Sequence, residues 1–176
     1  MIFRQTELAG VWVIELERFE DQRGFFARSF CREEFEKHEL EPRLEQCNIS
    51  FNHRRATLRG LHYQAPPHQE DKLVRCTMGS VWDVAVDLRG DSPTYKRWVG
   101  ETLSAENRRM LFIPKGFAHG FITLEDASEV FYQMSEPYRP ESAQAFPFDD
   151  PAFAIAWPEE PLVISTEDRS HPPFEG

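Results

Sequence analysis

An all-β fold, a sandwich or jelly roll with a few short helices, is what this sequence predicts, on three observations. Short runs rich in valine, isoleucine and aromatic residues recur along the chain. Glycine, proline and acidic residues separate them at close intervals, as tight turns require. Helical periodicity is confined to a few brief stretches. In chain order, residues 11–16 form an apolar, β-branched run that reads as a strand. Residues 32–38 suit about two helical turns, with Phe35 as the apolar contact. Residues 57–61 read as a strand with His62 just beyond it. Residues 80–88 read as a long strand whose Asp83 and Asp87 share one face at period two. Residues 98–103, 110–113, 120–124 and 129–134 are further strands, with turn chemistry at 89–93, 114–116 and 125–126. Residues 104–107 read as a capped single turn. From Pro147 onward, prolines and acids predict a loop with short helices that wraps the sheets. No repeat or linker divides the chain, so residues 1–176 are expected to form one domain.

Composition excludes several classes of function. An apolar content of 40% over 176 residues supports a packed core rather than disorder. No apolar run approaches ~20 residues, so no membrane partner is expected. The first residues lack a basic stretch followed by an apolar one, unlike a signal peptide. Cys31, Cys47 and Cys76 are odd in number and lack CxxC spacing, which points to a reducing cytoplasm and away from a thiolate metal site. A formal charge of −10 argues against a nucleic-acid partner. An anionic ligand would need locally concentrated cations, and Arg54, Arg55, Arg59, Lys72 and Arg75 supply them within one short stretch.

That stretch also carries the chemistry. Residues 57–64 (TLRGLHYQ) and 72–75 (KLVR) place a histidine, an arginine and a lysine on neighbouring strand-like runs. With His119, Tyr132 and Asp168 they are the residue types needed to remove a proton next to a ketone. An imidazole titrates near ~6.5 and serves as a base, and a carboxylate on its other nitrogen would fix the tautomer. An ammonium over the enolate oxygen would lower the barrier. A phenol can return the proton from the opposite face. Arg59 can clamp a diphosphate with its planar fork. Each residue has a plainer alternative: His62 a hydrogen-bonded core histidine, Lys72 a surface ammonium balancing two acids, Arg59 a salt-bridge partner, Tyr132 a packed strand aromatic. Phe25, Phe26, Tyr138 and Trp157 are read first as core aromatics, with loop-borne Tyr138 the best candidate to stack on a base.

Residues 114–119 carry the PxGxxH spacing of a cupin turn. Cupins often hold a metal through a preceding HxH, which is absent: His62 and His68 are separated by Pro66 and Pro67. A metal-free site is therefore favoured over a metal-dependent isomerase or dioxygenase. A non-catalytic sugar-nucleotide binding module is a third reading, and the full set of catalytic residue types argues against it.

As a set, the motifs LRGLHYQ, KLVR, DVAVDLR, SPTY, LSAEN, IPKGFAHGF and the late WP resemble the dTDP-4-dehydrorhamnose 3,5-epimerases, cupin-type jelly-roll enzymes of deoxysugar biosynthesis. The resemblance runs from Asp21 to Asp168. It implies epimerisation at C3, C5 or both of a nucleotide-linked 4-keto-6-deoxy sugar, most simply dTDP-linked, with no cofactor and no metal. It implies His62 as base paired with Asp168, Tyr132 as acid, and Lys72 at the C4 enolate. Arg23, Arg28, Gln46, Asn48, Arg59 and His119 match positions at or near substrate or diphosphate. Phe26 and Tyr138 match the stacking positions for thymine. A homodimer that exchanges N-terminal strands is also implied. The chain departs from the family pattern at Arg28 and Ala143, where members carry glutamate, at Glu167, where they carry lysine, and in residues 68–71. A single-centre epimerase on another nucleotide sugar is the nearby variant.

Overall fold

The computed structural model describes residues 1–175. In chain order the elements are β1 (Ile2–Gln5), β2 (Trp12–Glu15), β3 (Arg18–Asp21), β4 (Gly24–Ala27), α1 (Arg32–Lys37), β5 (Gln46–Asn52), β6 (Leu58–Gln64), β7 (Lys72–Met78), β8 (Ser80–Asp87), β9 (Trp98–Ser104), β10 (Met110–Ile113), β11 (Phe117–Thr123), β12 (Ser128–Met134), β13 (Ala143–Ala145) and α2 (Thr166–Ser170). They form a six-stranded sheet, β1-β2-β10-β7-β12-β5, and a five-stranded sheet, β13-β6-β11-β8-β9; β3 and β4 pair separately. The architecture is the cupin-type jelly roll that the sequence implies.

The core lies between the sheets. Val74, Cys76, Leu111 and Val130 from the larger sheet meet Val81, Ala85, Leu103 and Phe121 from the smaller one. Both outer faces are covered as well. Phe35 of α1 packs with Phe112, Leu73 and Ile14 on the larger sheet. The helix is short, with Glu33 and Glu34 in its first turn and Lys37 in its last, matching its dipole. The C-terminal segment lays Phe153, Phe146 and Trp157 over the outer face of the smaller sheet, against Val84, Val86 and Trp82. This double coverage explains why β8 reads as a nearly continuous apolar run rather than an alternating one.

Several expectations are corrected. The strand expected at 57–61 runs from Leu58 through His62 to Gln64, and β11 begins at Phe117 rather than 120. The polar alternation of β5 and the brevity of β1, β3, β4 and β13 hid those strands, which tertiary pairing stabilises. Phe25 and Phe26 are not core residues: they are 38% and 74% exposed on the β3–β4 hairpin. Trp157 is packed as expected and donates its indole N–H to the Phe148 carbonyl at 2.8 Å. The turn at Ser104 is doubly capped: Ser104 Oγ accepts from Asn107 N at 2.9 Å, and Asn107 Oδ1 accepts from Ser104 N at 3.0 Å.

Candidate active site

Where the apolar core ends, a cleft of about 930 Å³ opens between the sheets. Gln46, Asn48 and Ser50 of β5, Lys72 of β7 and Tyr132 of β12 line it from the larger sheet. Arg59 and His62 of β6 and His119 and Phe121 of β11 line it from the smaller one.

Placing both Arg59 and His62 in the cleft needs a break in strand geometry. Residues three apart on a regular strand face opposite sides. The β6–β11 register shifts between the pairs His119↔His62 and Phe121↔Arg59, so β6 carries one extra residue. Such a bulge restores both side chains to one face. Gly60 sits in it with φ +135°, and a Cβ there would lie 2.6 Å from Gly120 Cα and 3.1 Å from the His119 oxygen. Only glycine suits both the dihedral and the close approach.

His62 Nε2 lies 2.7 Å from Asp168 Oδ1. Asp168 is buried in α2, whose N-cap Ser165 Oγ accepts from Asp168 N at 2.9 Å. Burial works to raise the Asp168 pKa, but the hydrogen bond and charge of His62, with Ser165, bring it below the ordinary carboxylate range. The other ring nitrogen of His62, Nδ1, is left for a substrate, and the side chain is 48% exposed.

Lys72 is buried and not a surface ammonium. Its Nζ lies 2.9 Å from Glu70 Oε1 and donates to the His62 carbonyl at 3.3 Å. Glu70 Oε2 accepts from Gln64 N at 3.1 Å, which fixes the carboxylate. The other neighbouring acid, Asp71, turns away to Ser135 Oγ at 2.9 Å. Tyr132 faces the cleft from the opposite sheet. Burial raises its phenol above its ordinary pKa, with the Arg59 guanidinium pulling the other way. His119 Nε2 is held 2.9 Å from Asp83 Oδ2, and both groups are buried. Arg59 donates from Nε to Asn52 Oδ1 at 2.8 Å, which leaves the rest of its fork toward the cleft. Gln46 Nε2 donates to Asn48 Oδ1 at 3.0 Å, and Gln46 Oε1 accepts from Tyr138 N at 2.9 Å, placing the 55% exposed Tyr138 ring at the mouth.

Nine of the twelve expected site residues thus converge: eight line the cleft, and Asp168 backs His62. Arg23, Phe26 and Arg28 do not line it. Arg23 pairs with Asp21 at 2.5 Å, and Arg28 pairs with Glu34 at 2.7 Å, both on or beside the β3–β4 hairpin. The basic stretch also separates. Arg59 and Lys72 face the cleft, whereas Arg55 binds Glu159 and Arg75 stacks over Phe131 on the outer face. Of the departures, Ala143 lines the cleft and Glu167 is exposed on α2. Glu70, Ser50, Tyr63 and His171 were not foreseen as cleft residues. The spacing of His171 three residues after Asp168 carried a usable signal, since such pairs share a helix face.

A family model described as dTDP-4-dehydrorhamnose 3,5-epimerase matches residues 5–176. The chain belongs to the dTDP-4-dehydrorhamnose 3,5-epimerase family. A curated member from Methanothermobacter thermautotrophicus is 47% identical over 98% of this chain and 94% of its own. The solved epimerase of Elizabethkingia anophelis superposes with a TM-score of 0.96 at 38% identity, covering 99% of this chain and 96% of that one. A 3,5-epimerase from Legionella pneumophila, solved in complex with dTDP-4-keto-L-rhamnose, gives 0.88 at 40% identity, covering 95% and 89%. Membership makes this chain a carbohydrate epimerase, an isomerase acting on a sugar nucleotide. The epimerase reading displaces the metal-dependent cupin alternative. In that fold context His119, the histidine of PxGxxH, is committed to Asp83 rather than to a ligand cluster.

Proposed function

We propose that the chain epimerises dTDP-4-dehydro-6-deoxy-D-glucose to dTDP-4-dehydro-L-rhamnose through an enolate, with His62, Asp168, Lys72 and Tyr132 as the reacting set. The observation that carries this reading is the His62–Asp168 pair on one wall facing the Tyr132 phenol on the other. His62 Nδ1 removes the proton from a carbon next to the C4 ketone. The C–H electron pair moves into the new C=C bond, and the carbonyl pair moves onto the C4 oxygen. The Lys72 ammonium faces that oxyanion, while Asp168 stabilises the imidazolium. As the oxyanion pair re-forms the C4 carbonyl, the C=C pair takes the phenolic proton of Tyr132 at the same carbon from the opposite face, which inverts the centre and leaves a phenolate. Its raised pKa keeps the phenol protonated at neutral pH, as an acid requires. Both C5 and C3 adjoin C4, so the same groups serve either centre. The set supplies base, acid and oxyanion charge, and the reaction as proposed calls on no cofactor.

Arg59, with Gln46, Asn48 and His119, suits the diphosphate and sugar hydroxyls, and Tyr138 suits the base. We assign Arg23, Phe26 and Arg28 to the cleft of a partner subunit in a homodimer. The exposed Phe19, Phe25 and Phe26 on the β3–β4 hairpin support an interface there. No helix among the described residues is long and apolar enough to cross a membrane, and we place the enzyme in the cytoplasm.

The test is incubation with dTDP-4-keto-6-deoxyglucose in heavy water, followed by NMR. Deuterium at C3 and C5 is the expected result. Label at one carbon alone would mark a single-centre epimerase. Exchange that persists at the wild-type rate in both His62→Ala and Tyr132→Phe would refute the assignment.

A further inference from the structure

We propose that His62, Asp168 and His171 form a site for a divalent transition-metal ion of the Zn²⁺ type, and that occupation of this site silences the epimerase. The proposed reaction does not use His171. It follows α2, three residues beyond Asp168, and its ring meets His62 edge-on with centroids 6.4 Å apart and planes at 87°. Its Nε2 is buried, has no hydrogen-bond partner, and lies 3.6 Å from Asp168 Oδ1. The same oxygen is 2.7 Å from His62 Nε2, and one ligand atom from each of the three residues falls within 4.8 Å of the others. Two imidazoles and a carboxylate are a donor set suited to zinc, cobalt or copper. Tetrahedral bonds of about 2.0–2.2 Å place ligand atoms roughly 3.3–3.6 Å apart. The Asp168–His171 distance of 3.6 Å already fits, the His62–Asp168 contact must open by about 0.6 Å, and the His62 and His171 nitrogens, within 4.8 Å of each other, must close by up to about 1.2 Å. The cleft supplies the open fourth position. An ion there takes the Nε2 lone pair of His62 and the Asp168 carboxylate as ligands; the imidazole proton moves from Nε2 to Nδ1, so Nδ1 no longer has a lone pair with which to act as a base.

The test uses the full chain in metal-free buffer, titrated with Co²⁺ and followed by its visible ligand-field bands. This readout is independent of epimerase turnover, so it separates failure of the metal site from failure of the catalytic assignment. Wild type is expected to give saturable bands, and His171→Asn to shift half-saturation up by at least about tenfold, the order of loss when a metal site is degraded. His68→Asn, at a separate histidine–carboxylate contact, with Glu136, is expected to titrate like wild type. Zn²⁺ is expected to inhibit wild type at concentrations that leave His171→Asn, scored against its own metal-free rate, unaffected. Absence of saturable bands at millimolar Co²⁺, or identical titrations of wild type and His171→Asn, would overturn the site. Cobalt binding without zinc inhibition would overturn the silencing.

Discussion

Replacing Gly60 by alanine tests the claim that one bulge assembles this cleft. The new Cβ would lie 2.6 Å from Gly120 Cα and 3.1 Å from the His119 carbonyl oxygen, both backbone atoms of the neighbouring strand. Neither can rotate away. Relief requires β6 and β11 to separate, or Gly60 to leave its φ of +135°. Holding a non-glycine residue at that dihedral costs about 1–3 kcal/mol. Overpacking a tight contact adds about 1–3 kcal/mol. A loss near 3 kcal/mol lowers Tm by about 6–12 °C in a domain of this size. Urea unfolding at fixed protein concentration reads the stability directly, and the concentration matters because an assembly would couple to it. The bulge also determines that Arg59 and His62 share a face, so turnover per folded molecule is expected to fall more than tenfold. A Gly60→Ala protein that melts within about 0.5 kcal/mol of wild type and turns over normally would refute the reasoning.

Lys72→Met is expected to slow turnover about a hundredfold or more by removing the charge over the enolate. It should also cost about 3–5 kcal/mol, because Glu70 is left buried without its partner. The pair Lys72→Met with Glu70→Gln should recover most of that stability but none of the rate, and equal urea midpoints for the two proteins would contradict the ion-pair account. Asp168→Asn is expected to cut turnover by about 10²–10⁴ through loss of the imidazolium partner. The folded pKa of Asp168 is depressed, so its stabilising contribution is present above the ordinary carboxylate value and lost as pH falls below it. The stability gap between wild type and Asp168→Asn should therefore close on acidification, as thermal melts from pH 7 down to 3 would reveal. Asp87 is fully buried, and despite that burial the bonds from Arg89, Ser92 and Thr94 hold its pKa down to about 2. By the same sign it contributes about 2 kcal/mol at neutral pH. Wild type should lose that contribution between about pH 4 and 2, whereas Asp87→Asn should show no matching acid step.

Much of this protein is legible along the chain, because β-strands declare themselves through local composition. Residues 110–113 are a strand with the expected bounds, and β8, β9 and β12 differ from expectation by one residue. The strands that escaped notice are of another kind. β5 presents polar groups to a cleft rather than apolar ones to a core, so its alternation does not look like a buried strand. β1, β3, β4 and β13 are three or four residues long and owe their form to pairing partners. Phe25 and Phe26 look like core residues by type, yet lie exposed, since residue type records a tendency to be covered without naming the cover.

The sequence by itself determined the all-β class and the family and supplied the candidate reacting groups, because composition, turn chemistry and motif spacing are local properties. It could not decide faces or neighbours. Period-two alternation assigns Arg59 and His62 to opposite sides until the β6–β11 ladder inserts its bulge. Asp168 meets His62 across 106 residues, and the local pair of Asp168 and His171 comes beside His62 only because α2 folds back onto β6. Lys72 and Arg75 part company because positions three apart on β7 point to opposite sides of a sheet, and Arg55 is drawn off to Glu159 in the turn before β6. Those decisions belong to long-range register and packing, whose free energy exists only once both sheets are in place.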